Sequence, residues 1–571
     1  MGERCAEVTV DINHPLLDHF FYYRIPSHVP EPEIGTKVIV PFGSLVVNGW
    51  IIGYSEPPNG IQLKEIISVC PDPSLTPELL EIGRWMAEHY VQPLAEILRV
   101  MAPPPKPSRA VKTQERQWSC NLRRSTISAL TPEQERAVEE IVAGLRRGSF
   151  QQFLLHGVTG GGKTEVYLRA AACAVSLDRQ VLYLIPEIAL TPQAEAWFRS
   201  ALGDQVAIWH SRQGQSEKYH IYEGIRTGKI KVLIGPRSAV FAPFKKLGLI
   251  IIDEEHDPSY KSQEQPYYHA REVAYQRARY HQAVLLLGSA TPSVESFARA
   301  LKGHFSMLTI KQRPPGRSLP RVTLVDMRCE RRREGAGILS SYLCEQITLR
   351  LERKEQVILF LNRRGYAPLV FCSKCGHVLR CQHCSISLVY HRSSQSLQCH
   401  YCNYKTRLPE RCPKCMAPKN LSMLGAGIQR VEQELQGLYP NARIQRFDLD
   451  TTRRKGAFRR ILEEFARGEI DILLGTQMVT KGHDFPRVTL VGVLNADLAL
   501  NLPDYRAAER TYQLLAQVAG RAGRGQLSGE VVVQTYFPDH YSIVAACKND
   551  YAMFFKEEAN WRRYLGYPPF A

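Results

Sequence analysis

The amino-acid sequence predicts an α/β protein with two tandem lobes, each built on a parallel sheet, with a small β-rich domain before them and a cysteine-rich insert in the second lobe. Three observations predict this class. Short apolar runs alternate with helical stretches twice along the chain, as in sheets buried on both faces. The first hundred residues instead hold short strands separated by turns. Eight of the 15 cysteines lie between Cys372 and Cys415.

Length and charge narrow the class of protein. A chain of 571 residues is long enough for about four domains, and 44% hydrophobic with 23% charged residues is typical of globular proteins. No apolar run reaches the roughly 18 residues of a membrane span, and the start lacks the layout of a signal peptide, so we expect a cytoplasmic location. A net charge of +17 favours a phosphate polymer as partner, although many basic proteins bind none.

Residues 1–102 are predicted to form the β-rich domain. Turn residues at Pro41-Phe42-Gly43 separate its strands, and a helix begins at Thr76 with Pro77 in its first position. A proline-rich run then opens a linker, 103–128. The predicted strands are 7–12, 20–24, 36–40, 46–54 and 64–69.

The lobes follow the linker, and Thr131-Pro132-Glu133-Gln134 has the capping-box spacing that starts a helix. In the first lobe, 129–310, the predicted strands are 153–156, 181–185, 206–209, 232–234, 249–252 and 284–287. In the second lobe, 311–370 and 417–540, they are 357–361, 421–424, 443–447, 472–474, 488–494 and 530–534. The insert occupies 371–416. We expect residues 541–571 to begin a C-terminal region that is truncated.

A phosphate-binding loop is predicted at Gly157-Val158-Thr159-Gly160-Gly161-Gly162-Lys163-Thr164, between a strand and a helix. The glycines let backbone N–H groups wrap phosphates, and the helix N-terminus favours negative charge. We expect Lys163 to reach the β and γ phosphates of ATP and the Thr164 hydroxyl to bind magnesium. The full pattern in this context disfavours the alternative of an ordinary glycine-rich turn.

Acidic residues follow the buried strand Leu249-Ile250-Ile251-Ile252. Parallel strands deliver such residues to the edge where doubly wound sheets bind ligands. We expect Asp253 to hold the magnesium ion and Glu254 to orient and deprotonate the attacking water. Acidic residues after a strand are often solvated loop residues, but the phosphate loop upstream favours a catalytic role for these two.

A third segment, Gln517-Val518-Ala519-Gly520-Arg521-Ala522-Gly523-Arg524, places two arginines three residues apart. A positioned guanidinium stabilises the charge that builds on the γ phosphate during phosphoryl transfer. We therefore expect Gln517, Arg521 and Arg524 to belong to the catalytic set. The alternative is a basic surface face.

The cysteine insert consists of four C-x2-C pairs. Each pair offers two thiolates to one side of a tetrahedron, so the four pairs predict two structural Cys₄ zinc sites. Iron–sulfur clusters and redox dithiols are disfavoured alternatives, and His377, His383 or His400 could replace a thiolate. Spacing does not fix which pairs combine. The other seven cysteines are interpreted as small buried hydrophobic residues.

These segments, in this order, resemble the motifs of superfamily-two helicases, together with 186–193, 235–238, 288–292 and 475–485. The resemblance implies two RecA-like lobes, ATP with magnesium, and Arg521 and Arg524 acting across the cleft between the lobes. It also implies that Gln134 contacts adenine, although the residue could serve only as a helix cap. The residues that it implies contact DNA are Arg237, Thr476, Gln477 and Lys481.

Within that superfamily the cysteine insert and Asp253-Glu254-Glu255-His256-Asp257 resemble the bacterial replication-restart helicases. This resemblance implies nested zinc sites and an aromatic-rich loop, 258–268, that couples DNA to ATP hydrolysis. Tyr260, Tyr267 and Tyr268 would stack on bases beside Lys261, or else pack the loop against the core. The nested sites are Cys372, Cys375, Cys412 and Cys415 for one zinc ion and Cys381, Cys384, Cys399 and Cys402 for the other.

The N-terminal domain of this family binds the 3′ end of a nascent strand, so Phe21 and Lys64 are expected DNA contacts. Here Tyr22 stands where the family has Asp, and Gly161 stands where it usually has Ser. The first change puts contact with the terminal base in doubt, while backbone cradling of phosphate needs no Ser. The linker is too short for the winged-helix domain of many relatives.

The resemblance implies a 3′-to-5′ DNA helicase that recognises stalled or branched forks and starts primosome assembly. Expected partners are forks, single strands, primosome proteins and single-strand-binding protein, and the chain is expected to be a monomer associated with the nucleoid. Two alternatives stay open: an RNA or duplex translocase, and a zinc-dependent loading platform whose ATPase is dispensable.

Overall fold

The computed structural model of the chain describes residues 5–12, 14, 18–56, 62–71, 73–107, 130–186, 192–210, 213–313, 320–330, 338–361, 369–384, 386–391, 394–418, 421–424, 428–452, 456–476, 485, 487–502, 504–520, 522 and 529–570. The chain divides into two compact units. The first comprises residues 1–157, 162–292 and 299–311, and the second comprises 158–161, 293–298 and 312–571. Within the described ranges, no helix has the length and apolar character needed to cross a membrane.

The first unit begins with a six-stranded sheet in the order β5-β2-β1-β4-β3-β6, antiparallel except between β2 and β5. Its elements are β1 Cys5–Val10, β2 Phe20–Arg24, β3 Lys37–Phe42, β4 Leu45–Ser55, β5 Lys64–Glu65, β6 Ser68–Val69, α1 Pro77–Tyr90 and α2 Leu94–Met101. Alternate side chains of β1 fill its core with those of β3 and β4. The predicted strand 64–69 is two strands, because the chain crosses at buried Ile66 from the edge beside β2 to the edge beside β3.

The same unit holds a seven-stranded parallel sheet in the order β13-β7-β12-β11-β8-β10-β9. Residues on both faces of β8, β10, β11 and β12 are buried, which accounts for their continuous apolar runs. The elements are α3 Pro132–Arg147, β7 Gln151–Gly157, α4 Lys163–Ser176, β8 Gln180–Leu184, α5 Pro192–Leu202, β9 Val206–Ile208, α6 Gln215–Arg226, β10 Val232–Gly235, β11 Leu247–Asp253, α7 Ala270–Tyr280, β12 Val284–Ser289 and β13 Ser306–Ile310. Helix α8, Val294–Leu301, is divided between the two units after residue 298.

The second unit contains a six-stranded parallel sheet in the order β14-β24-β23-β15-β22-β21 and a five-stranded antiparallel sheet in the order β19-β18-β17-β16-β20. The first elements are β14 Arg321–Asp326, α9 Ser341–Glu352, β15 Gln356–Phe360, β16 Leu369–Cys372, β17 Val389–His391, β18 Ser396–Gln398, β19 Lys405–Arg407 and β20 Leu421–Leu424. The rest are α10 Ile428–Leu438, β21 Ile444–Phe447, α11 Leu449–Thr452, α12 Ala457–Arg467, β22 Ile472–Gly475, β23 Val488–Val493, α13 Ala507–Ala519, β24 Glu530–Thr535, α14 Tyr541–Cys547 and α15 Tyr551–Leu565.

The predicted fold class is confirmed: two parallel-sheet lobes, an N-terminal β domain and a cysteine-rich insert. One strand was assigned wrongly. Residues 421–424 do not extend the parallel sheet of the second lobe but pair antiparallel with β16 and close the cysteine segment. A four-residue apolar run is compatible with either sheet, so its partner could not be predicted from its own residues. The edge strands β13 and β14 were not predicted.

Candidate nucleotide site, zinc centres and DNA contacts

The predicted phosphate loop connects β7 to α4, between Gly157 and Lys163. Gly160 and Gly162 both have φ of +78°, in the left-handed region that favours glycine. A Cβ atom at Gly162 would also lie 2.3 Å from Nε2 of Gln134. The loop therefore has the backbone conformation and setting that a phosphate cradle needs. The other predicted residues lie in the loop or the first turn of α4: Val158, Thr159, Gly161 and Thr164.

Gln134 forms the capping box that its spacing predicts. Its Oε1 accepts the backbone N–H of Thr131 at 2.8 Å, and its own N–H donates to Oγ1 of Thr131 at 3.3 Å. The side chain is buried beside Gly162. The helix-cap role is present in this structure, and contact with adenine stays a prediction.

Lys163 is a buried cation at the start of α4. Only 9% of its surface is exposed, and Nζ donates to the carbonyl oxygen of Gly157 at 3.0 Å. Burial and the charge of Lys163 lower the pKa of neighbouring His156 to about 4, so that imidazole is neutral at pH 7. Buried charges act more strongly than solvated ones, and Lys163 is thus placed to attract phosphate.

Asp253 is the last residue of β11, aligned with Gly288 of β12, which in turn aligns with Leu155 of β7. The carboxylate therefore lies at the carboxyl end of the parallel strands, the edge of the sheet where the phosphate loop begins. Burial, and then the charge of Glu254, raise the pKa of Asp253 to about 6, while Lys163 opposes the shift. A carboxylate and an amine at one buried edge match what magnesium and phosphate require.

Two tyrosines that the sequence analysis did not identify hold this carboxylate. The hydroxyl of Tyr167 donates to Oδ1 of Asp253 at 3.0 Å, and that of Tyr183 donates to Oδ2 at 3.4 Å. A Cβ atom at Gly288 would lie 1.7 Å from the Tyr167 hydroxyl oxygen, so glycine is required there. Tyr167 lies four residues after Lys163 and hence on the same helix face, a signal that could have identified it.

Glu254 has φ of +46°, a left-handed conformation that is uncommon outside glycine. Its Oε2 is buried and has no hydrogen-bond partner in the described part of the chain; Nδ1 of His256 lies 3.6 Å away. A buried acceptor without a protein partner needs a ligand or water. The residues present therefore fit an ATP-dependent hydrolytic site.

The acid box, Asp253-Glu254-Glu255-His256-Asp257, is hydrogen-bonded to the segment after β12. Nδ1 of His256 lies 2.7 Å from Oγ of Ser289, and Nε2 lies 3.5 Å from Oγ1 of Thr291. Behind them, Nη1 of Arg271 donates to the buried carboxylate of Glu255 at 2.8 Å. The two motifs therefore form one hydrogen-bonded cluster.

Two further predicted residues belong to the second unit. Gln517 lies half-buried near the end of α13, and Thr476 is half-buried directly after β22. The other four predicted residues lie outside the described ranges: Arg521, Arg524, Gln477 and Lys481.

The eight clustered cysteines form two groups of four, and within each group all sulfur atoms lie within 4.8 Å of one another. The groups are the nested ones: Cys372 with Cys375, Cys412 and Cys415, and Cys381 with Cys384, Cys399 and Cys402. Neither group includes a histidine. Four sulfur donors at this spacing fit a tetrahedral zinc ion.

The backbone forms the same hydrogen-bonded turn at each of the four C-x2-C pairs. The N–H of the first cysteine donates to the carbonyl five residues later in all four pairs, for example from Cys372 to His377 and from Cys399 to Tyr404, both at 2.8 Å. Gly376 and Asn403, four residues after those cysteines, have positive φ. This repeated turn directs both thiols of a pair to the same side.

Two of the three tyrosines in the aromatic loop are too deeply buried to stack on a base. Tyr260 is fully buried, and its hydroxyl donates to the carbonyl oxygens of Asp253 at 2.7 Å and Leu184 at 3.1 Å. Tyr268 is 3% exposed, whereas Tyr267 is 47% exposed. Tyr260 and Tyr268 therefore pack the loop against the core, the alternative given above. Of the three tyrosines, Tyr267 is the one available to a base.

Two predicted DNA contacts, Arg237 and Lys261, are joined at this loop. Nη1 of Arg237 donates to the carbonyl oxygen of Lys261 at 2.8 Å, and its guanidinium lies 5.5 Å from the centroid of the Tyr268 ring. The side chain of Lys261 is exposed. Arg237 thus holds the loop in this structure, and its contact with a DNA backbone stays a prediction.

In the N-terminal domain the predicted end-binding residues converge on one turn. The half-buried ring of Phe21 packs edge-on against Phe42 with centroids 5.0 Å apart. Exposed Lys64 places Nζ 3.5 Å from the carbonyl oxygen of Gly43 in the same turn. An aromatic ring beside a lysine is an arrangement that can bind a nucleotide end.

Four family models match the chain. They are the PriA 3′ DNA-binding domain at residues 7–103, the DEAD/DEAH box helicase at 131–300, the Cys-rich region of PriA DNA helicase at 381–407 and the helicase conserved C-terminal domain at 422–526. The matches cover the N-terminal domain, parts of both lobes and part of the insert.

The chain is also similar to individual proteins. It is 49% identical to the replication restart protein PriA of Bacillus subtilis over 77% of this chain and 55% of that protein. It is 39% identical to the Rickettsia felis protein of the same name over 96% of this chain and 83% of that protein. Among solved structures, RecG bound to a three-way DNA junction is similar with a TM-score of 0.43 and 19% identity, covering 84% of this chain and 50% of that chain. The chain thus spans little more than half the length of the Bacillus relative.

Proposed function

The chain belongs to the PriA family of replication restart helicases, and from this premise we propose that it is an ATP-dependent DNA helicase that moves 3′ to 5′, recognises stalled or branched forks and starts primosome assembly. The observation that carries the proposal is the proximity of Lys163 and Glu254 to the buried Asp253 carboxylate, together with a buried Oε2 of Glu254 that accepts no hydrogen bond from the described residues.

In the proposed reaction Lys163 and the backbone of residues 157–164 bind the phosphates of ATP. Asp253 and Thr164 would hold a magnesium ion, which neutralises phosphate charge when bound. Glu254 receives the proton of the attacking water through Oε2, a buried acceptor without a hydrogen bond from the described residues. Gln517, Arg521 and Arg524 complete the set by stabilising charge on the γ phosphate, and Gln134 contacts the adenine.

The DNA-binding part of the proposal uses residues of both lobes and of the N-terminal domain. Phe21 and Lys64 bind the 3′ end of a strand, and Tyr267 stacks on a base beside Lys261. Arg237, Thr476, Gln477 and Lys481 contact the phosphate backbone, which supplies affinity without sequence preference.

The two cysteine groups are proposed to hold structural zinc ions. The insert has a small core, formed mainly by Val370, Leu379, Leu388 and Leu397, and metal binding adds the folding free energy that such a core lacks. The proposed domain limits are 1–102, 129–310, and 311–370 with 417–540, with the zinc insert at 371–416. Further proposed partners are primosome proteins and single-strand-binding protein.

The test of the proposal is the rate of ATP hydrolysis with forked DNA, single-stranded DNA, duplex DNA and RNA. Lys163→Ala removes the phosphate contact and Glu254→Gln keeps the shape but removes the base, so both variants should lose turnover. We expect strong stimulation by forks and single strands. Stimulation by RNA alone, or equal rates with no nucleic acid, would reject the proposal.

A further inference from the structure

A residue of the N-terminal domain holds the loop that follows the acid box. Gln92 lies two residues after α1. Its Nε2 donates to the carbonyl oxygen of Tyr267 at 2.9 Å, and its Oε1 accepts the N–H of Tyr267 at 2.8 Å. One side-chain amide therefore satisfies both backbone groups of one loop residue, as a neighbouring strand would.

A second contact fixes the end of the same loop. The N–H of His269 donates to the hydroxyl of Tyr90, the last residue of α1, at 3.1 Å. His269 also pairs with Lys261 in an antiparallel bridge that closes the loop on itself. A displacement at Tyr267 therefore moves a closed unit rather than a free segment.

The opposite end of the closed loop touches the catalytic edge. Tyr260 precedes Lys261, and its hydroxyl donates to the carbonyl oxygen of Asp253. This bond fixes the peptide that joins Asp253 to Glu254, the residue with positive φ. Because Tyr260 is fully buried, the loop cannot shift without moving that peptide or breaking the bond.

Helix α1 is also joined to a helix of the first lobe. Glu78 at its start accepts two hydrogen bonds from the buried guanidinium of Arg277 on α7, at 2.6 and 2.8 Å. Helix α7 begins at Ala270, directly after the loop. The two helices are therefore tied at both ends of α1, and α1, α7 and the loop form one hydrogen-bonded assembly.

We propose that Gln92 is a positioning residue through which the N-terminal domain sets the aromatic loop and thereby the DNA-stimulated rate of ATP hydrolysis. The inference rests on the proposed function. DNA bound to the N-terminal domain moves α1, and the movement reaches the Asp253–Glu254 peptide through Gln92, the loop and Tyr260. Gln92 touches neither nucleotide nor DNA in this scheme.

The first test substitutes Gln92→Met, which keeps the side-chain length and removes both hydrogen bonds. Glu88→Gln is the matched control, because Glu88 is exposed in the last turn of α1. We expect Gln92→Met to keep the ATPase rate without DNA and the fork affinity, and to lose about tenfold in stimulation by forks, within the range usual for coupled sites. Glu88→Gln should behave as wild type.

A double-variant cycle tests the route. Tyr260→Phe removes the hydroxyl that contacts the Asp253 carbonyl, so it should also reduce stimulation. If both residues act on one route, the loss in the Gln92→Met, Tyr260→Phe double variant is much smaller than the sum of the separate losses in free energy. Additive losses would overturn the proposed route.

Hydrogen exchange supplies a readout that needs no activity. The N–H of Tyr267 is protected by Gln92, so peptides covering 258–269 should exchange faster in Gln92→Met than in wild type, while peptides of β1 and β4 stay unchanged. Unchanged loop exchange, or unchanged fork stimulation, overturns the inference. A loss of stimulation that merely follows a loss of fork affinity also overturns it. Wild-type protein without any DNA-stimulated hydrolysis would instead reject the proposed function, and loop exchange would still test the contact.

Discussion

The hydroxyl of Tyr167 donates a 3.0 Å hydrogen bond to Oδ1 of Asp253, and the tyrosine reaches this carboxylate because residue 288 is glycine. The relationship joins α4, β11 and β12 at the edge where the phosphate loop begins. The Tyr167 hydroxyl thus positions the Asp253 carboxylate, and none of the sequence motifs includes this tyrosine.

The first prediction concerns this support. Tyr167→Phe removes the shorter hydrogen bond to Asp253 and should lower the ATPase kcat by about three- to tenfold, since one such bond contributes about 1 kcal/mol. Tyr183→Phe is the matched control: its bond is longer, at 3.4 Å, and its effect should be smaller. Steady-state kinetics of both variants measures the difference, and an equal or reversed order would contradict the assignment.

The sequence predicts that Lys163 and Asp253 lie close together, as the structure has them, because their placement follows from local patterns. Their catalytic roles stay predictions. A glycine-rich loop after one strand and acids after another place Lys163 and Asp253 together through the geometry of parallel sheets. The role of Tyr167 depends on a tertiary contact with Asp253. The only sequence signal for it is that Tyr167 lies four residues after Lys163 on the same helix. Gln92 could not be predicted, because it contacts a residue 175 positions away. Cysteine spacing predicted the ligand set but left the pairing open.

A second prediction concerns the pH dependence of the attachment of α1. Burial alone would raise the pKa of Glu78, but Arg277 and His281 outweigh it and lower the pKa to about 2 from an ordinary value of 4.5. A lowered carboxyl pKa adds stability above pH 4.5, and this stability is lost as the pH falls from 4.5 toward 2. Glu78→Gln should therefore lower the free energy of unfolding of the first unit by about 3 kcal/mol at neutral pH.

The measurement for Glu78→Gln is denaturant unfolding at several pH values, with Glu88→Gln as the exposed control. The difference between wild type and Glu78→Gln should shrink as the pH approaches 2. A difference that is independent of pH would show that the ion pair is not its cause.

The third prediction concerns metal content. Elemental analysis of the purified protein should find two zinc ions per chain and no iron. Cys372→Ser and Cys399→Ser, one from each sulfur group, should each lose about one ion, because a four-ligand site rarely survives the loss of a thiolate. Cys344→Ser is the control, since Cys344 is buried outside both groups. Visible absorbance from iron and sulfide would contradict the zinc assignment.

The fourth prediction separates the tyrosines of the aromatic loop. Tyr267→Ala should weaken binding of single-stranded DNA by about 5- to 100-fold, because stacking contributes about 1–3 kcal/mol per base. Tyr260→Phe removes only a buried hydroxyl and should leave DNA affinity unchanged. Fluorescence anisotropy with a labelled oligonucleotide measures both. Weaker binding by Tyr260→Phe than by Tyr267→Ala would contradict the exposure argument.

The central claim is that ATP hydrolysis at the Lys163–Asp253 edge drives strand separation. The most direct measurement is displacement of a labelled strand from a DNA fork by wild type and by Glu254→Gln, with ATP binding measured in parallel. We predict that wild type separates the fork only with hydrolysable ATP, while Glu254→Gln binds ATP and separates nothing. Equal displacement by both proteins, or displacement by wild type without nucleotide, would contradict the account.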